Sequence, residues 1–109
     1  MSAAARRPNA RTLAELLEAT AEETPYGGRV VTLESLGWAW LALGPRRSRD
    51  RAEEGLARAV ETVEAEVRAD LRLSEGRLLR FGGGDWTIRR AELDARKPGW
   101  MRLMLERDR

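Results

Sequence analysis

From Val63 to Leu73 apolar and polar residues alternate without an error, with Val63, Ala65, Val67, Ala69, Leu71 and Leu73 on one side and Glu64, Glu66, Arg68, Asp70 and Arg72 on the other. A period of two is that of a strand with one face buried and one face wet. The same region also admits a helix. Leu56, Val60, Val63, Val67 and Leu71 recur at spacings of four, three, four and four, and the Ala, Glu and Arg content favours helix. Pattern points one way and composition the other, so on this ground alone residues 56–73 stay open between strand and helix.

The flanking segments read more plainly. Leu78 to Phe81 is a short strand, Gly82 to Gly84 a tight connection, Asp85 to Ala91 a strand with Trp86 and Ile88 on one face, and Trp100 to Glu106 a strand with Met101, Leu103 and Leu105 together. Turns are expected at Ser74-Glu75-Gly76 and Lys97-Pro98-Gly99. Arg29 to Leu43 is rich in β-branched and aromatic residues and reads as two short strands, or as one bent at Gly37, apolar on both faces and therefore central to the core. Gly44 and Pro45 are expected to stop it and to open a polar loop at 44–58. Near the start, Thr12 and Glu15 form a capping box ahead of Leu16, Leu17 and several Ala, which predicts a short N-terminal helix. Residues 1–11 are small, basic and proline-containing and read as a flexible arm. The expected fold is mainly β: one small antiparallel β-barrel or sandwich over residues 12–109, with the short helix at its beginning.

Composition narrows the function. The chain has 109 residues, enough for one core. It has neither Cys nor His, which removes disulfides, thiolate and imidazole metal sites, Ser-His and Cys-His nucleophile pairs and a histidine base. Nineteen Arg and one Lys stand against 18 Asp and Glu, a net charge of only +2, so any attraction for nucleic acid must come from a local patch. The longest apolar run, Leu36 to Leu43, is too short to span a bilayer, and no apolar stretch follows Arg6 and Arg7 as in a secretory signal. Synthesis in the cytoplasm is expected, with no membrane partner. Glu64 and Glu66, about 7 Å apart on a strand face, could suit a glycosidase pair, but nothing suggests a cleft around them. Gly82 to Gly84 lacks the Lys-Ser/Thr of a phosphate loop.

The order of landmarks resembles a known family. A Pro-x-Gly-Gly turn (Pro25 to Gly28) precedes a Leu-Gly-x-x-Trp segment (Leu36, Gly37, Trp40), then an Arg-rich polar stretch, then an alternating Val-x-Ala-x-Val-Arg segment. Gly76, Arg77 and Leu78 run on to Phe81, a glycine turn, Trp86-x-Ile88 and a final Met101-Arg102-Leu103-x-Leu105-Glu106. Over roughly residues 13 to 107 this is similar to the head-tail joining, or stopper, proteins of long-tailed phages and gene transfer agents. Leu33 stands where members usually have a Trp, and the helical-looking Leu13 to Ala19 is a first strand in that family. The resemblance tips Val63 to Leu73 toward strand. It implies a β-barrel assembling as a homo-oligomeric ring, a dodecamer, in the neck of a virion-like particle. Its partners would be its own copies, a head-tail adaptor on the portal, a tail terminator, and double-stranded DNA in the channel. It implies no catalytic residue, cofactor or metal.

Two groups of residues are the candidates for that work. Arg46, Arg47, Arg49 and Arg51 could meet phosphates in the lumen, while Asp50, Glu53 and Glu54 could meet Arg on a neighbouring subunit. Exposed charge pairs contribute little singly, so the plainer reading is a solvated loop; twelve copies around one channel change the magnitude. Trp38, Trp40, Phe81, Trp86 and Trp100 are candidate core or interface anchors, because a small β domain with one Phe and one Tyr must take its bulky fill from Trp. The alternative to a neck ring is a monomeric small-barrel nucleic-acid-binding protein using the Arg segment and surface Trp.

Overall fold

From Val63 to Arg68 the period-two alternation prevails over helix propensity. In a computed structural model, which describes residues 11–53 and 56–108 and the side chains among them outside 49–58, the chain forms six strands and no helix among the described residues. They are β1 (Thr12–Glu23), β2 (Arg29–Glu53), β3 (Leu56–Arg68), β4 (Leu78–Phe81), β5 (Gly84–Leu93) and β6 (Trp100–Asp108). All neighbours are antiparallel, and the order β1-β2-β3-β6-β5-β4 closes on itself through Glu15↔Arg80, Leu16↔Leu79 and Leu17↔Leu78. Closure removes the exposed sheet edge that a small β domain would otherwise present.

The core is the inward side of this barrel. Leu16, Leu41, Val63, Val67, Leu79, Phe81, Trp86, Ile88, Leu103 and Leu105 meet there, with Ala14 and Ala65 where strands come close. Trp86, fully buried, stacks on Phe81 with ring centroids 5.5 Å apart and planes 5° from parallel. The two rings sit astride the Gly82-Gly83 turn, where both glycines have positive φ (60° and 80°) and Phe81 pairs with Gly84. Two consecutive positive φ values define the tight hairpin that suits the right-handed strand twist.

Several expectations are corrected. The helix predicted from Thr12 is β1: Ala14 and Leu16 are buried and β1 pairs with both β2 and β4, so tertiary burial overrides the capping box. The polar loop expected at 44–58 is instead strand up to Glu53 and again from Leu56. Gly44 and Pro45 do not stop β2; the register with β3 skips them between Leu43 and Arg46, so the proline sits in a bulge where its missing N–H is not needed. Arg29 to Leu43 is one continuous strand, but only one side of it is core: Leu41 is buried, whereas Trp38 and Trp40 are 57% and 56% exposed. The strand reading of the Val63 alternation holds, yet β3 ends at Arg68. Ala69 to Leu73 turns away, leaving Leu71 99% exposed before Leu73 re-enters the core. Residues 1–10, most of the expected flexible arm, lie outside the described residues.

β2 is 25 residues long, too long for any single neighbour. It pairs with β1 over Arg29 to Leu41 and with β3 over Ala42 to Glu53, so a hairpin stands at each of its ends, and the molecule measures 63 × 32 × 27 Å. At Leu16/Leu17 the β1 register slips, leaving Leu36 of β2 as the extra residue beside Gly37. Gly37 has φ 124°, and a Cβ there would run into the Arg72 guanidinium. Glycine is thus required twice over, by backbone and by space.

Two outcomes test this packing by urea denaturation. Leu103→Ala is expected to destabilise the fold by about 2–5 kcal/mol, and Leu71→Ser to change it by no more than about 0.5 kcal/mol. Gly37→Val is expected to destabilise by about 1–3 kcal/mol through the strained φ; an unchanged midpoint would contradict the role given to the bulge.

Candidate interaction surfaces

The residues singled out from the sequence separate into an interior set and an outer set. Phe81 and Trp86 are core. Arg46 lies over Trp86 with its guanidinium carbon 5.5 Å from the ring centroid, and Arg107 does the same at 4.5 Å while its Nε donates to Glu61 Oε1 at 2.9 Å. The ring quadrupole attracts both cations. Arg46 is therefore engaged within its own barrel, at the end closed by the glycine turn. Trp86 Nε1 is buried without a hydrogen-bond acceptor among the described residues. Arg47 lines an open groove of about 620 Å³ with Glu64, Arg89, Arg90, Met104 and Glu106. Glu106, 3% exposed, accepts from Arg89 Nε at 2.8 Å, so its charge is buried with a partner. Arg49, Asp50, Arg51 and Glu53 belong to the β2–β3 hairpin by backbone, but their side chains, and the whole of Glu54, lie outside the described residues.

The outer set lies on β1, β2, β3 and β6. Antiparallel partners point to the same side of a sheet, so Leu13 faces out with Trp40, and Glu15 with Trp38. Ala42 pairs with Glu66; Trp40 and Arg68, each two residues further toward the same end, share that outward side. Arg68 in turn pairs with Trp100. Trp100 is half-buried beneath three cations: Lys97 Nζ at 4.3 Å, Arg11 at 5.0 Å and Arg68 at 5.1 Å from its ring centroid. Lys97 also bonds Glu66 at 3.3 Å, while Arg11 and Arg68 have no carboxylate partner among the described residues. Two exposed indoles, a third roofed by cations and two uncompensated guanidiniums make an aromatic and cationic flank. Sequence reasoning picked out its tryptophans but not Arg11, Arg68 or Lys97. The alternation did carry a signal for Arg68, whose side chain falls on the outer side with Glu64 and Glu66.

A clamp fixes the flank to the base of the β1–β2 hairpin. Arg72 bonds Asp70 through Nε (3.1 Å) and Nη2 (2.6 Å), and its Nη1 donates to the Leu36 carbonyl at 2.5 Å, at the bulge. Arg77 donates to the Arg72 carbonyl at 2.7 Å and reaches Glu18 at 3.4 Å. The hydrogen bond from Arg72 holds the Asp70 carboxyl below its ordinary 3.8, and that from Arg80 does the same for Asp85, which accepts from Arg80 Nε at 2.7 Å. Among the described residues none of these surfaces encloses a cavity with convergent acid, base and nucleophile.

No protein-family description matches the sequence, and no curated protein matches it either. Among solved structures, a chain of the "Virion of native gene transfer agent (GTA) particle" shares the fold with a TM-score of 0.67 and 20% identity, over 89% of this chain and 93% of that one.

Because both carboxyls are depressed in the fold, their contribution to stability is present above the unfolded carboxylate value and is lost as pH falls on through the lower, folded one. The midpoint of urea unfolding is therefore expected to drop progressively as pH is lowered from about 5, and Asp70→Asn with Asp85→Asn to flatten that drop. A variant as acid-sensitive as the parent would show that other groups govern it.

Proposed function

We propose that this chain is a structural head-to-tail connector of the stopper type, forming a ring in the neck of a tailed-phage or gene-transfer-agent particle between portal adaptor and tail terminator. The observation that carries the reading is the shared barrel with a chain of a gene transfer agent virion, nearly end to end in both chains. The order of short motifs supports it independently, from the Pro25–Gly28 turn to the last strand. The surface supports it too. Val31, Leu33, Trp38 and Trp40 are exposed large apolar residues along one strand, on a chain that has a complete core without them, and contiguous exposed apolar surface marks interaction sites. A neck component needs lateral and axial contacts and a hole for double-stranded DNA; it needs no catalytic group.

One observation favours a second reading, a monomeric nucleic-acid-binding barrel: the aromatic and cationic flank around Trp100 has the composition of a single-strand stacking surface. The two readings differ in where the chain is found and in what it binds when free. A phosphate-binding monomer loses affinity steeply as salt rises.

Two results test the neck reading. Deleting the chain from a producing cell is expected to leave filled heads unjoined to tails, or heads that lose their DNA, as seen by electron microscopy; intact, transferring particles without the chain would overturn it. Replacing Arg46, Arg47, Arg49 and Arg51 together by Ser is expected to leave the barrel folded by circular dichroism yet impair DNA retention or neck assembly. Full-titre particles from that variant would remove these four residues from the function.

A further inference from the structure

Beyond Leu17 on β1 and Ser35 on β2 the two strands have only each other. Six residue pairs, from Glu18↔Glu34 to Glu23↔Arg29, stand clear of the barrel as a two-stranded ribbon, an arm of about 20 Å at 3.3 Å per residue. A two-stranded ribbon by itself is marginally stable in water. This one is also left with uncovered surface. On its outer side Ala19, Ala21, Val31 and Leu33 continue the stripe of Trp38 and Trp40; on its other side lie Glu18, Glu22 and Glu34 with Thr20, Thr32 and Val30. Glu18 and Glu34 stand directly opposite each other, an arrangement of like charges that destabilises a strand pair. Arg77 answers Glu18, but Glu22 and Glu34 meet no cation among the described residues.

The complement to that face is on the same molecule. Arg11 and Arg68, beside Trp100, are guanidiniums without carboxylate partners among the described residues, and Trp38 and Trp40 flank them with open indole surface. Within one copy the arm runs away from this flank and cannot fold back onto it, since β2 is continuous through both. Resting on the neck-ring reading above, we propose that the arm of one copy seats on the aromatic and cationic flank of the next. Glu22 and Glu34 of the arm meet Arg11 and Arg68 of the neighbour, and Val30 lies against Trp38 and Trp40. The contact joins two different patches, so repetition by rotation closes a ring rather than a pair. It also neutralises the opposed carboxylates, supplies the ribbon with a covering surface and places paired charges beside indoles, the residue type that dominates interface energetics.

Because the chain has no cysteine, two introduced thiols report this contact alone. Thr32→Cys on the arm and Ala42→Cys on the flank leave every charged partner in place. Purified particles carrying both are treated with a short bismaleimide and resolved by denaturing electrophoresis. A ladder of dimers and higher species is expected from the double variant and from neither single one. Charge reversal by Glu22→Arg with Glu34→Arg is expected to abolish the ladder at least tenfold, and adding Arg11→Glu with Arg68→Glu to restore it, which separates a lost contact from a lost fold. Particles that contain the double variant at the wild-type amount but give no ladder overturn the arm contact and leave the neck reading standing. A wild-type chain absent from particles overturns both. If no ladder forms while Arg11→Glu with Arg68→Glu weakens salt-dependent binding of the free chain to duplex DNA, the flank takes phosphate rather than a second copy, and the proposal falls.

Discussion

Backbone pairing along β2 governs the rest of the molecule. A strand of 25 residues exposes a long row of N–H and C=O groups, and each left unpaired and buried costs as much as a lost hydrogen bond. No neighbour is long enough to satisfy it alone, so β1 takes the first half and β3 the second. That division determines both hairpins. It also explains why the Arg-rich stretch after Pro45 is sheet and not loop: once β3 is held by its buried Val63, Ala65 and Val67, its earlier residues have the second half of β2 as a ready partner.

Arginine side chains tie many parts of this barrel together. Arg46 and Arg107 shelter Trp86, Arg72 joins the 69–73 turn to the β2 bulge, and Arg80 and Arg89 hold carboxylates on β5 and β6. The planar guanidinium can stack on a ring while donating several hydrogen bonds in its own plane, a fixed fork that the point charge of lysine does not offer. This is a physical reason for nineteen Arg and one Lys to serve a chain of nearly balanced charge. It also means that a count of basic residues overstates how many are free for a partner; Arg11 and Arg68 stand out because both lie over the Trp100 ring with no carboxylate partner among the described residues.

The C-terminal half was legible because its signals are local. Trp86, Ile88, Leu103 and Leu105 fall on the core side that period-two alternation assigns, and the glycine turn between Phe81 and Gly84 is where the sequence places it. The N-terminal half was less so because its determinants are distant. Nothing in Thr12 to Ala19 announces that Leu16 will pair with Leu79, more than sixty residues on, and local capping favours the wrong structure. Pro45 misled for a similar reason: a bulge needs a register, and a register needs the partner strand. Of the proposed site, the tryptophans were visible by type, but which of them face out depended on the strand register, including the slip at Leu36. The cations gathered over Trp100 come from three separate parts of the chain, the residue before β1, β3 and the β5–β6 turn, and have no common sequence signature.

The bulge at Leu36–Gly37 sits where the ribbon leaves the barrel, fastened there by one guanidinium to one carbonyl. A lever of this length amplifies small rotations: swinging by about 10° at its root carries the Tyr26 end through about 4 Å, given some 3.3 Å of rise per residue. A single glycine and a single arginine thus set the aim of an extended limb. In the proposed ring, that joint is the place where the spacing of neighbouring barrels would be set, outside the ladder that closes the barrel.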